Sequence, residues 1–185
     1  LSNYDEICID GGLKLNKDLF TNKIIDNSFK IFNPKINDYK KYKLTKTNLY
    51  YSKNNEIEFI PGGQGMKAFK NKYKIIWKTR FNNIFQFSDI DDLILNGNQS
   101  LLISSNNKQE IYFLFSILNS DISLKVLSMF TQLPNESKYI VALSSIKELI
   151  RIPKITDKNQ HIKEEIIKQT GYLLELEDLL LKDFI

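Results

Sequence analysis

Three of the chain's seven glycines fall in the run Gly62-Gly63-Gln64-Gly65, with Lys67 just beyond. A phosphate-cradling P-loop would need its lysine followed directly by Ser or Thr at the opening of a helix. Here Lys67 is followed by Ala68, and a strand-like stretch is expected next. The chemistry left to this run is contact: glycines let backbone approach a polyanion, with Gln64 as a base reader and Lys67 as a phosphate contact. In the run Ser88-Asp89-Ile90-Asp91-Asp92, Asp89 and Asp91 would share one face of a strand. No further carboxylate or nearby lysine completes a nuclease pattern, so a solvated turn is expected rather than a metal site. Cys8 and His161 each occur once. A disulfide within the chain and a four-ligand Cys/His zinc site are therefore excluded. A histidine triad would have to rest on His161, in a polar segment that opens a predicted helix. No catalytic or metal-binding residue is assigned.

The net charge of +4 is unevenly spread: residues 30–80 carry +10, residues 1–29 carry −2 and residues 81–185 carry −4. A basic block beside an acidic remainder suits an anionic partner. Lys40, Lys41, Lys43 and Lys46 are interleaved with Tyr39, Tyr42, Tyr50 and Tyr51, and Lys67, Lys78 and Arg80 continue the block. Lysines neutralise phosphates, while Asn, Gln and Arg read base edges through paired hydrogen bonds. The candidate DNA contacts are thus these cations with Gln64, Asn82, Asn83 and Gln86, joined by Asn135 and Lys138 in the polar loop around Pro134.

The elements that must position these residues change character near Lys108. Residues 1–107 read as strands and loops. Val/Ile and aromatic content marks "YKIIWKTRF" (73–81) as a central strand and "SLLISS" (100–105) as another. From Lys108 the apolar period becomes helical, with Ile111, Leu114, Phe115 and Leu118 on one face and Asn119 ending the helix. Ser120 caps a second helix, and Ser145 with Glu148 has capping-box spacing for a third. A long amphipathic helix closes the chain over about 158–184. Its stripe of Ile162, Ile166, Gln169, Leu173, Leu176 and Leu180 is expected to pack on its own domain. The fold class is α+β: a β-rich recognition region, then a helical hairpin and a long terminal helix. One domain over 1–185 is expected. The chain begins with Leu1 and is read as part of a longer protein. The lone cysteine and the lack of any apolar run of spanning length predict a cytoplasmic location without membrane contact.

The ordered series "YKIIWKTRFNNIFQF", "SLLISSNN", "IYFLFSILNS" and "SSIKELIRIPKI", followed by the terminal helix, resembles the C-terminal specificity domain of TaqI-type adenine-specific DNA methyltransferases. It also resembles the single-chain restriction–modification enzymes built on them. Lys74 to Arg80, Leu118-Asn119-Ser120 and Ile150 to Ile155 occupy the family's motif positions, although Arg151-Ile152-Pro153 keeps one proline where the family has two. The resemblance covers about 73–181. It implies double-stranded DNA as partner and an upstream methyltransferase domain, with or without a fused endonuclease, that binds S-adenosylmethionine. No cofactor is then expected in this part, and base flipping would belong to the upstream domain. Specificity subunits of multi-subunit restriction systems are the near alternative. A protein-interaction module docking through the terminal helix is the alternative from a different class.

Overall fold

The computed structural model describes residues 7–10, 13–32, 42–44, 46–59, 65–81, 84–96, 99–131 and 139–182. The first part of the chain supplies β1 (Cys8–Asp10), β2 (Leu13–Lys14), β3 (Ser28–Phe32), β4 (Tyr50–Ser52) and β5 (Glu58–Phe59). Helix α1 (Met66–Lys70) precedes β6 (Tyr73–Lys78), β7 (Arg80–Phe81), β8 (Gln86–Ser88), β9 (Leu93–Leu95) and β10 (Ser100–Ser105). Then come α2 (Lys108–Leu118), α3 (Asp121–Thr131), β11 (Tyr139–Ile140), α4 (Leu143–Leu149) and α5 (Gln160–Lys182). The α+β organisation expected from the change of period is what the chain adopts.

The central sheet is antiparallel in the order β1-β10-β6-β8 and is covered on both faces. Alternation along a strand sends successive side chains to opposite faces. Ile75 and Trp77 of β6, with Leu101 and Ile103 of β10, enter a core shared with Ile111, Leu114, Phe115 and Leu118 of α2. Ile76 and Leu102 enter a second core with α1 and the small sheet β4-β3-β9, in which β3 pairs antiparallel with β4 and parallel with β9. Trp77 is fully buried, and a side chain of that size stabilises the fold by roughly 3 kcal/mol. Residues 42–44 close the β8 edge: Leu44 N–H donates to the Phe87 carbonyl at 2.8 Å, and Phe87 N–H to the Tyr42 carbonyl at 2.7 Å. The parallel bridge Lys43–Phe87 leaves no bare strand there.

Helix ends follow the sequence closely in one region. The Asn107 side chain accepts from the amides of Gln109 and Glu110 at 3.1 and 3.3 Å, starting α2. Asn119 ends α2, and Ser120 Oγ accepts from Ser123 N–H at 3.3 Å, starting α3. Elsewhere the structure departs from expectation. The stretch after Lys67 is a helix rather than a strand, because Ala68 and Phe69 turn together into the second core. The capping box at Ser145 is not used. Buried Val141 pairs with Thr79 (N–H to carbonyl, 3.0 Å), and the chain enters α4 directly from Ala142, placing Ser145 inside the helix.

The stripe on α5 is the largest correction. Ile162, Leu173 and Leu176 are 52%, 47% and 57% exposed, whereas Leu174 and Thr170 are 1% and 5% exposed against α2. Leu174 and Thr170 face α2 and set the rotation. The hydroxyls of Thr170 and Ser116 are hydrogen-bonded across the contact, and a Cβ on Gly171 would stand 3.5 Å from the Tyr112 ring. The helices approach closely along this seam, and the leucine stripe is turned outward. The side chain of Leu180 lies outside the described residues.

Candidate nucleic-acid interface

The basic residues that the sequence groups around one loop are divided between the two ends of the central sheet. Strand β6 separates them by five residue steps, roughly 17 Å. At its C-terminal end lie half-buried Lys78 and exposed Arg80, with Thr79 N–H donating to the Gln99 carbonyl at 2.9 Å. Here β7 leaves the sheet to pair with β11, in the register Arg80–Ile140. The indole N–H of Trp77 donates to the Val141 carbonyl at 2.9 Å and fixes this departure from below.

The same end is clipped from the helical layer by Asn119. Its Oδ1 accepts from Phe85 N–H at 3.0 Å, and its Nδ2 donates to the Phe85 carbonyl at 3.1 Å and to the Phe115 carbonyl at 3.2 Å. The side-chain amide thereby pairs with Phe85 as a neighbouring strand would. The Leu118-Asn119-Ser120 motif thus ends one helix, opens the next and anchors the chain just past Asn82 and Asn83. That third task leaves no mark in periodicity or capping pattern, and sequence reasoning missed it.

At the opposite end stands a buried polar network. Lys74 is 1% exposed, and its Nζ donates to the Asn71 carbonyl at 2.5 Å. Asn71 Nδ2 donates to Ser104 Oγ at 3.3 Å, and Ser104 donates to the Ala68 carbonyl at 2.6 Å. Asn106 Nδ2 donates to Asn71 Oδ1 at 3.2 Å. Burial pushes Lys74 down to about 8, with Asp91, Asp92 and Asp89 opposing that shift. Exposed Lys67, Lys70 and Lys72 surround the network on α1 and the turn after it. Gly65, at φ 58° and ψ −141°, admits the chain to α1 through a conformation that side-chain-bearing residues avoid. Lys108 is raised above the ordinary lysine value, chiefly by a hydrogen bond with Tyr112.

The tyrosine–lysine segment sits at the β8 edge. Lys43 is half-buried and 3.9 Å from Asp89, and Lys46 is exposed. Lys53 pairs with Asp92 at 2.7 Å, so the acidic turn neutralises part of the basic block instead of standing alone in solvent. Among the described residues no cluster of His, Cys, Asp or Glu is placed to hold a metal ion. Of the sequence-predicted contacts, Gln86 requires correction. It is fully buried on β8, on the face of the second core, where an outside base edge cannot reach it. Lys40, Lys41, Gln64, Asn82, Asn83, Asn135 and Lys138 lie outside the described residues. The described anchors at Phe81 and Ile84, and at Thr131 and Tyr139, bracket four of these seven.

Among the described residues no single helix is long and apolar enough to cross a membrane. No protein-family model matches the chain, and comparison with curated proteins gives no significant match.

Proposed function

We propose that the chain is a double-stranded DNA recognition domain, the specificity part of an adenine-specific DNA methyltransferase or of a restriction–modification enzyme built on one. The observation that carries this reading is the Arg80 end of the central sheet. Lys78 and Arg80 stand there with the anchored ends of the Asn82-Asn83 and Asn135–Lys138 segments. Cations that neutralise phosphate beside amides that read base edges form the combination needed for sequence-specific duplex binding. Methyl transfer and S-adenosylmethionine binding belong, in this reading, to an upstream domain of the same polypeptide. The chain itself then clamps DNA without catalysing a reaction.

Fluorescence anisotropy with a duplex library at graded salt tests the proposal. If about six phosphates are neutralised, log affinity should fall with log salt at a slope of roughly −5. Absence of binding to any duplex at low salt would sink it.

A second reading rests on the outward stripe of α5. Ile162, Leu173 and Leu176 repeat at the spacing of a helix that packs lengthwise on another helix, and Tyr172 and Leu179 widen the apolar surface. The chain would then be a protein-interaction module. Light scattering should show a dimer that dissociates on Leu173→Glu with Leu176→Glu, without salt-dependent duplex affinity.

A further inference from the structure

Strands β7 and β11 form a ribbon of their own, with no third strand beside them among the described residues. The register sets Arg80 opposite Ile140. Val141 N–H donates to the Thr79 carbonyl at 3.0 Å, one residue to the side of that pair, which makes Arg80–Ile140 a non-hydrogen-bonded pair. Strands approach most closely at such a pair, and its two side chains leave the same face with Cβ atoms roughly 5 Å apart. That face points away from the interior. Side chains alternate along a strand, and the neighbouring Val141 is fully buried in the core with Trp77 and Leu127. Ile140 is therefore turned outward, 37% exposed and a member of neither core, with exposed Arg80 beside it.

We propose that Ile140 is a specificity-determining residue: it meets the C5-methyl group of a thymine while Arg80 reads the guanine of the neighbouring base pair. The inference rests on the DNA-recognition reading and narrows it to a ribbon lying in the major groove. That groove, roughly 12 Å wide, admits a two-stranded ribbon, and the thymine methyl is displayed there and not in the minor groove. A guanidinium pairs with O6 and N7 of guanine through two hydrogen bonds, whereas an aliphatic side chain finds its complement in the methyl. A guanine–cytosine pair carries no methyl, so the thymine must lie on an adjacent pair. Base pairs stack roughly 3.4 Å apart, within reach of two side chains that start roughly 5 Å apart. One residue beyond Ile140 the ribbon is tied to the core, where the Trp77 indole N–H donates to the Val141 carbonyl at 2.9 Å.

The test is a duplex selected by the 185-residue chain from a randomised library and then titrated, with altered bases, by fluorescence anisotropy. The selected site should contain a guanine next to a thymine. Uracil in place of that thymine removes only the methyl, and should weaken wild-type binding about fourfold while leaving Ile140→Ala unaffected. 7-Deazaguanine in place of the guanine removes N7, and should weaken the wild type about tenfold while leaving Arg80→Ala unaffected. On the thymine duplex Ile140→Ala should bind about fourfold more weakly with an unchanged salt slope, because no charge is lost. A merely structural role for Ile140 would weaken binding to the thymine and uracil duplexes alike. That result, or a selected site without thymine beside guanine, overturns the proposal and leaves the DNA reading standing. Absence of wild-type binding to any duplex overturns both.

Discussion

The two ends of the central sheet are built on different principles. At the Lys74 end, Asn71, Lys74, Ser104 and Asn106 close a buried hydrogen-bond network. Its lysine is committed to the interior, and the nearby Lys67, Lys70 and Lys72 are carried on its outside. At the Arg80 end the enclosed side chains are apolar, Trp77, Phe85 and Val141 among them. A short β7–β11 pair is held by Trp77 and Asn119, whose hydrogen bonds go to backbone rather than to other side chains. Side chains tied to one another inside the fold make a rigid anchor. Backbone clips fix where a loop begins or ends while leaving its side chains to other tasks. In the DNA-recognition reading proposed above, the first end stabilises the fold and the second, with Lys78 and Arg80, faces the duplex.

The largest expected effect tests the anchor. The unfolded chain keeps the Lys74 proton up to its ordinary value of 10.5, while the folded chain releases it near 8. Raising pH through that window therefore favours the folded state. The stability difference between wild type and Lys74→Met should move by about 3 kcal/mol in favour of the wild type from pH 8 to 10.5. Denaturation curves that shift in parallel for the two proteins would mean that Lys74 is not desolvated in the folded chain.

Next, Arg80→Ala should cost about 2 kcal/mol of duplex binding and relax sequence preference, with the salt slope reduced by about 1. Titrations against matched and scrambled duplexes would show it, and full retention of affinity would move the interface elsewhere. Trp77→Phe keeps an apolar ring but strips the Val141 carbonyl of its donor. A loss of about 1 kcal/mol in chemical denaturation is expected, with weaker DNA binding because β11 is released. Stability falling without any change in binding would uncouple the clip from the interface. Smallest, Lys67→Ala should weaken binding only about two- to threefold and equally for all sequences. An effect as large as that of Arg80→Ala would mean that the two ends act as one surface.

Much of the fold was legible because local and tertiary preferences agree. The β-branched and aromatic run of β6 sits at the sheet centre, and Asn119 and Ser120 mark helix boundaries as their side chains dictate. Legibility failed where contacts distant in sequence decide. Met66–Lys70 is too short for periodicity to declare a helix. The rotation of α5 follows from Leu174 and Thr170 burying against α2, so the leucine spacing pointed to the wrong face. Gln86 reads as a surface polar residue, yet β8 is covered on both sides and encloses it. Glu177 reads as one more acid on a charged helix. Nothing nearby in sequence shows that it accepts hydrogen bonds from the backbone amides of Tyr42 and Lys43.

The Asn119 clip has a consequence for how such a domain is altered. Phe85 is held by a side chain from α2, and Val141 by backbone from Thr79 and by the Trp77 indole. Phe85 and Val141 therefore sit at docking points fixed by residues distant in sequence. An exchange of sequence between Phe81 and Ile84, or between Thr131 and Tyr139, is thus expected to leave these two sockets in place.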